Sequence, residues 1–194
     1  QNFAKVTIKN DDSGVPPSLT DVSPQITFPE NLVNSVPQAI DSNATFADPD
    51  TPILNGGSLV AEITSGGGPE DVLGVLNTGA TQGQIGTNGS TVTYGGVPFA
   101  NFTFVNGTLT VSFNADAATP AVIEALVESL TYRNTSDTPN ASRDVTIIVT
   151  DQFGTPSVPV VTTINVTPEN DPPTISPITT QSLLEDAAIT VPFV

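Results

Sequence analysis

The chain has 194 residues, enough for one large domain or two small ones. Its 20 acidic residues outnumber its 4 basic ones, and the formal net charge of -16 repels nucleic acids and anionic membranes while attracting cations. The sequence has no Cys and no His, which excludes disulfide bonds, a thiol nucleophile and the most common base near neutral pH. No apolar run approaches the length of about 20 residues that a membrane-spanning helix needs.

The chain begins with a pattern typical of a β-strand, because Ala4, Val6 and Ile8 alternate with polar residues. One strand is not stable alone, so we expect it to complete a preceding domain or to pair elsewhere. Residues 13–25 are rich in Pro and Ser and are predicted to form a linker.

Short strands separated by turns are predicted through the middle of the chain. Residues 32–47 are predicted as an early strand with Ala44 and Phe46 on one face, and residues 58–64 alternate in the same way. Frequent Thr, Val, Gly and Pro suit such short strands and turns.

The clearest local pattern is a β-hairpin. Two alternating runs flank Asn106-Gly107, a pair that type I′ turns prefer because both turn positions need a positive φ. Phe102 and Phe104 are therefore expected to share a core-facing side with the apolar residues of the second strand.

Residues 119–129 are predicted as a short helix. Thr119 is a favourable N-cap and Pro120 suits the first helical position. Five apolar residues then recur at helical spacing: Val122, Ile123, Leu126, Val127 and Leu130. Strands follow over 144–150 and 158–167. Together these elements predict an all-β protein, a β-sandwich with one short inserted helix.

The stretch Pro168–Pro173 follows the last of these strands and combines Glu, Asn and Asp with prolines. Its prolines hold the backbone extended and prevent a helix. An earlier stretch, Asn10-Asp11-Asp12 followed by Pro16-Pro17, has a similar composition. Both stretches are predicted as joints between folded units.

The two ends of the chain also suggest a repeat. Residues 24–40 and 177–193 share a Pro start, an acidic residue at a similar place and an apolar close. We therefore expect a fragment of a longer polypeptide. The predicted boundaries are 1–12 for the last strand of a preceding domain, 13–25 for a linker, 26–168 for the sandwich, 169–176 for a second linker and 177–194 for the start of the next repeat.

Five motifs occur in order between Phe46 and Pro173: Ala47-Asp48-Pro49-Asp50, Asn114-Ala115-Asp116-Ala117, LTYRNTSDTP (130–139), VTIIVTDQFG (145–154) and VTPENDPP (166–173). In this order and spacing they resemble the cadherin-like repeats of large bacterial surface proteins, of the subtype also seen in the chondroitin-sulfate-proteoglycan family. Residues 1–12 resemble the closing strand of a Calx-beta domain. The resemblance implies an antiparallel sandwich of cadherin or immunoglobulin type, arranged in tandem in extracellular adhesins and filaments.

One departure from the cadherin pattern affects the expected metal ligands. Cadherin joints read Asp-x-Asn-Asp-Asn, whereas here Pro168 replaces the first Asp and Pro172 replaces the last Asn. At most two joint ligands remain, which speaks against a full three-ion cluster.

Calcium is the predicted cofactor. It takes six to eight hard oxygen ligands at about 2.3–2.6 Å. The candidate ligands would lie near the domain ends: Glu30, Asp48, Asp50, Asp151, Asn170 and Asp171. Asp48-Pro49-Asp50 is expected to point two carboxylates the same way from an extended backbone. Two such charges 4 Å apart repel by about 4 kcal/mol at an effective dielectric near 20, which favours a bound cation. The alternative interpretation is that these are solvated turn residues.

The sequence does not predict an enzyme. Asp48 and Asp50 could serve as the paired carboxylates of a glycosidase, but no sugar platform, cleft or base accompanies them. A Ser or Thr nucleophile has no His partner. The Asn-x-Ser/Thr sequons would carry glycans in a secreted eukaryotic protein but arise by chance in an Asn- and Thr-rich bacterial chain.

The sequence thus predicts a calcium-stiffened structural or adhesive repeat of a long extracellular surface protein or filament. Its expected partners are neighbouring repeats of the same polypeptide. The alternative is a carbohydrate- or protein-recognition module within such a protein. If residues 4–8 instead pair with the sheet edge of another subunit, identical chains would polymerise by strand addition.

Overall fold

A computed structural model describes residues 14–171 and residue 173. The predictions for residues 1–12 and 177–194 lie outside this part of the chain. The described part is 45% strand and 9% helix and contains a large multi-stranded sheet. This confirms the predicted all-β sandwich with a short helix.

Thirteen strands and two helices are found in the described residues. In chain order they are β1 (Ser18–Thr20), β2 (Gln25–Pro29), α1 (Glu30–Ser35), β3 (Gln38–Ala39), β4 (Thr45–Ala47), β5 (Ser58–Ser65), β6 (Asp71–Val75), β7 (Ile85–Asn88), β8 (Thr91–Tyr94), β9 (Val97–Val105), β10 (Thr108–Phe113), α2 (Pro120–Glu128), β11 (Leu130–Asn134), β12 (Ser142–Thr150) and β13 (Val160–Thr167). Neither helix has the length and apolar character needed to cross a membrane.

The strands form three sheets. The largest has eight strands in the order β2-β13-β12-β5-β10-β9-β8-β7, while β3, β11 and β6 form a three-stranded sheet and β1 pairs with β4. Within the large sheet β2 runs parallel to β13, and the other neighbours are antiparallel.

One hydrophobic cluster joins the elements. It includes the inward-facing residues of β5, β10 and β12, the apolar stripe of α2 and residues of β11. Phe28 of β2 stacks on Tyr132 of β11, with ring centroids 6.5 Å apart. An edge strand of the large sheet is thereby packed against the three-stranded sheet.

Two local predictions are confirmed. β9 and β10 pair across Asn106 and Gly107, whose φ angles are 50° and 81°, and Phe104 lies opposite Leu109 as expected. The predicted helix is α2, with Thr119 at its N-cap, Pro at its first position and a buried apolar stripe.

Two segments differ from the prediction. Residues 30–35 form α1, although the sequence predicts a strand from residue 32. A helix of fewer than two turns has no repeating apolar stripe, so its periodicity cannot be read from the sequence. Residues 18–20, which fall within the predicted linker, form β1 and pair with β4. Ala44 and Phe46 are both buried, as expected.

The strand directions define two ends of the sandwich. β12 leads to Asp151 at one end, where Gly14 and Val15 also contact Asp50. β13 runs antiparallel to β12 and leads to Glu169 at the opposite end. We call the first the entry end and the second the exit end.

Candidate metal centre

Three aspartates converge at the entry end. Asp48 follows β4, Asp50 lies two residues later, and Asp151 follows β12. Each offers a carboxylate oxygen, and these oxygens all lie within 4.8 Å of one another. Two loops that are distant in sequence therefore contribute to one cluster of hard oxygen ligands.

The backbone between Asp48 and Thr51 bends rather than extending. Asp48 Oδ1 accepts hydrogen bonds from the N–H of Thr51 at 3.1 Å and of Asp50 at 3.4 Å. The expectation of two carboxylates projecting the same way from an extended strand is wrong in this respect. The carboxylates come together because the first one caps the bend that carries the second.

Asp151 organises its own loop in the same manner. Its Oδ1 accepts hydrogen bonds from the N–H groups of Phe153 and Thr155, both at 2.8 Å. The residue is 1% exposed. Its side chain is therefore fixed in position by the backbone around it.

The second oxygens of Asp48 and Asp151 are buried and have no hydrogen-bond partner among the described residues. An unsatisfied polar atom in a buried position costs roughly 1–3 kcal/mol, and more when it is charged. A cation bound between these oxygens would remove that cost. The arrangement is therefore suited to hold a metal ion that prefers carboxylate ligands.

The two neighbouring carboxyls differ in their pKa. Burial raises the pKa of Asp48 to about 6, and the side-chain carboxyl of Asp50 adds to the shift, whereas the N–H groups of Asp50 and Thr51 oppose it. The N–H groups of Gly14 and Val15, at 3.0 and 3.1 Å from Asp50 Oδ2, lower the pKa of the Asp50 carboxyl. This pattern reflects two acidic groups that share one small site.

A glycine allows β5 to begin close to Asp151. A Cβ placed on Gly57 would overlap the carbonyl oxygen of Thr150 and lie 2.9 Å from the carbonyl carbon of Asp151. Gly57 therefore permits the close backbone approach that positions the Asp151 loop.

Glu30 does not join this cluster. It lies at the exit end, is 1% exposed, and accepts a hydrogen bond from the N–H of Glu169 at 2.9 Å. Glu169 in turn accepts one from the N–H of Asn31 at 3.2 Å. The other oxygen of Glu30 is buried without a partner in the described part of the chain.

Asn170 and Asp171 are also at the exit end, next to Glu169. Both are exposed, and the Asn170 side chain donates to the backbone oxygen of Asp171 at 3.3 Å. The six predicted ligands thus separate into two groups at opposite ends, and one group of three converges.

Neither a protein-family model nor a curated protein sequence matches the chain. The resemblance to cadherin-like repeats therefore stays a prediction.

Four features of the two ends were not anticipated from the sequence. They are the N–H groups of Gly14 and Val15 on Asp50, the buried Thr51 beside Asp50, the close approach at Gly57 and the pairing of Glu169 with Glu30. Of these four features, the sequence signals only the involvement of Glu169, because Glu169 is next to the predicted ligand Asn170.

A groove of about 630 Å³ is lined by none of the six predicted metal ligands. It opens between the loop 66–69 and the β9–β10 turn, with Ile63, Phe104 and Asn106 in its lining and Asp71 among its polar groups. Its size is within the range of small-ligand sites.

Proposed function

We propose that this protein is a calcium-binding, non-enzymatic structural or adhesive repeat of a long extracellular surface protein or filament. One observation carries the proposal: Asp48, Asp50 and Asp151 converge at the entry end, and two of their buried oxygens lack a hydrogen-bond partner among the described residues. Hard carboxylate oxygens are the ligands that calcium prefers.

The coordination would need more than these three side chains. Calcium takes at least six oxygens, so loop carbonyls, water or a neighbouring unit would supply the remainder. Three ionised carboxylates carry more negative charge than one divalent ion neutralises. This excess is in keeping with the strongly acidic composition of the chain, which attracts cations to its surface.

Binding at this position would stiffen the chain as well as stabilise the fold. Asp50 accepts hydrogen bonds from the N–H groups of Gly14 and Val15, which precede β1. A cation that fixes the Asp50 carboxylate would also fix the segment that enters the sandwich. Cation binding would then restrict hinge motion between this sandwich and a preceding unit of the same polypeptide.

A non-catalytic role agrees with the side chains present. The chain has no His and no Cys, and the converging aspartates at the entry end do not line the groove. We propose a cell-surface or extracellular location, where calcium is abundant enough to occupy sites of modest affinity.

Thermal unfolding in calcium and in chelator tests the calcium site. When the free calcium concentration is 100 times the Kd of the site, binding stabilises the folded state by about 2.7 kcal/mol. This corresponds to a rise of several degrees in the midpoint.

Asp151→Asn should abolish this rise, because it removes a carboxylate while its Oδ1 still accepts from the N–H groups of Phe153 and Thr155. Asp137→Asn, the same change at an exposed residue, is the control. An unchanged midpoint of the unaltered protein at millimolar calcium would contradict the proposal.

A recognition module is the second candidate, favoured by the groove beside Phe104. Aromatic side chains that flank polar groups are common in sites for saccharides and peptides. A panel of saccharides screened by NMR would test it. Saturable shifts of the Phe104 and Asn106 resonances would favour recognition, and their absence would favour the structural role.

A further inference from the structure

The pairing of β2 with β13 differs in direction from every other named strand pair in the described residues, because it is parallel. β2 is the first strand of the large sheet in chain order and β13 is the last. We propose that this parallel pair is a mechanical clamp that bears tension applied along the chain.

The direction of loading follows from the two ends. The chain reaches β2 from the entry end, at Gln25, and it leaves β13 toward the exit end, at Thr167. Tension on the flanking segments therefore pulls the two strands in opposite directions along their own axes. In an antiparallel pair both attachments would lie at the same end, and the strands would separate one residue pair at a time.

All contacts across the pair share the load. Five residue pairs are in register, from Gln25 opposite Thr163 to Pro29 opposite Thr167. The N–H of Thr163 also donates to the Pro24 carbonyl at 2.9 Å. Because these contacts are loaded in shear, they must yield nearly together, which raises the barrier to forced unfolding.

Further bonds hold the exit end of the pair. The N–H of Glu169 donates to Glu30 Oε2 at 2.9 Å, and the N–H of Asn31 donates to Glu169 Oε2 at 3.2 Å. The two carboxylates thus cross-link the residues that follow β2 and β13. Sliding of one strand past the other would break both bonds.

The core anchors β2 against sliding. The Phe28 side chain is 7% exposed and stacks on Tyr132 of the three-stranded sheet. Displacement of β2 along its axis would pull this ring out of its packing. The β1–β4 pair, which has three residue pairs in register, lies ahead of β2 in the line of force and would yield first.

The clamp deepens the proposed function, since it assumes a repeat that is under tension, but it does not use the cation. Neither β2 nor β13 contributes a residue to the cluster of Asp48, Asp50 and Asp151. The clamp and the calcium site are therefore separable by experiment.

Force spectroscopy with cysteine handles tests the clamp, because the chain contains no natural cysteine. Gln25→Cys with Asp171→Cys places handles at opposite ends of the pair and loads it in shear. Asn31→Cys with Asp171→Cys places both handles at the exit end and peels the same pair apart. All three positions are exposed. Equal thermal midpoints for the two variants establish that both are folded, and Ser35→Cys replaces Asn31→Cys if they differ.

At the same loading rate the shear pair is expected to unfold at a several-fold higher force than the peel pair, in calcium and in chelator alike. Equal forces, or a higher force for the peel pair, would overturn the clamp. A difference that disappears in chelator would also overturn it, because the cation site would then carry the load. A thermal midpoint that does not respond to calcium would contradict the proposed function and leave the force ratio intact.

Discussion

At the scale of single residues, Asp48 and Asp151 divide their two oxygens between two tasks. One oxygen of each accepts backbone N–H groups and shapes a loop, and the other is buried without a partner among the described residues. A carboxylate with a purely structural role in a turn would normally expose its spare oxygen to water. The buried spare oxygens therefore distinguish these two residues from ordinary turn aspartates.

Gly57 is predicted to be intolerant of any side chain. A Cβ there would overlap the Thr150 carbonyl oxygen, and this backbone atom cannot move aside without displacing Asp151. Gly57→Ala is expected to lower the free energy of unfolding by about 1–3 kcal/mol, as overpacking does elsewhere. It should also weaken the response of the thermal midpoint to calcium.

Gly74→Ala is the control for this change. The nearest atom to its added Cβ is the Thr131 hydroxyl at 3.2 Å, a side-chain atom that can adjust. Urea denaturation of both variants compares the two sites. A loss for Gly57→Ala no larger than that for Gly74→Ala would contradict the account of the close approach.

At the scale of elements, a buried polar network ties three strands together. Asp71 of β6 accepts hydrogen bonds from the Tyr132 hydroxyl and the Asn134 amide of β11, and it pairs with Arg143 of β12 at 3.4 Å. The Arg143 guanidinium also lies 5.0 Å from the centre of the Tyr132 ring. The three-stranded sheet is thus joined to the large sheet by charge as well as by packing.

Tyr132→Phe is predicted to destabilise the protein and to change its response to alkaline pH. Burial, and next the Asp71 carboxylate, raise the pKa of the Tyr132 hydroxyl above its ordinary value. The unfolded chain releases that proton near pH 10, while the folded protein retains it, so stability falls as the pH rises above about 10. The phenylalanine variant should lose roughly 1 kcal/mol at neutral pH, since Asp71 keeps its other partners, and should show a shallower decline at high pH.

Chemical denaturation at neutral and alkaline pH measures both effects. Tyr94→Phe is the matched control, because Tyr94 is the other tyrosine and lies outside the network. Equal alkaline slopes for the protein and its Tyr132→Phe variant would rule out the retained proton.

Local sequence patterns predicted several of these elements. The elements that they did not predict were missed for physical reasons. α2 was predictable because its nine residues give a stripe of two turns, whereas α1 has six residues and too few turns for a stripe. The Asn106-Gly107 hairpin was predictable because its turn chemistry is local.

The candidate site was harder to predict than the hairpin. Asp48 and Asp50 are only two residues apart in the sequence, but which end of a sandwich a residue occupies depends on the direction of its strand. That direction is set by all the preceding connections between strands, and local sequence patterns do not encode those connections. The sequence therefore predicted Glu30, Asn170 and Asp171 only as residues near the domain ends, and it did not indicate that they lie at the end opposite to the three aspartates.

At the scale of the whole molecule, the net charge of -16 opposes compaction through self-repulsion. Monovalent salt screens such repulsion, with a Debye length of about 10 Å at 0.1 M. Calcium screens it too, and for that reason a rise in thermal stability with calcium does not by itself identify a bound ion.

The two effects should separate in a titration. In chelator, sodium chloride is expected to raise the thermal midpoint gradually and without saturation over the range where screening grows. Calcium at matched ionic strength should produce a further rise that saturates, because the proposed site at Asp48, Asp50 and Asp151 would hold a fixed number of ions. Asp151→Asn should retain the sodium chloride effect and lose the saturating component. If calcium and sodium chloride instead gave the same curve at equal ionic strength, diffuse screening by the acidic surface would account for the whole response.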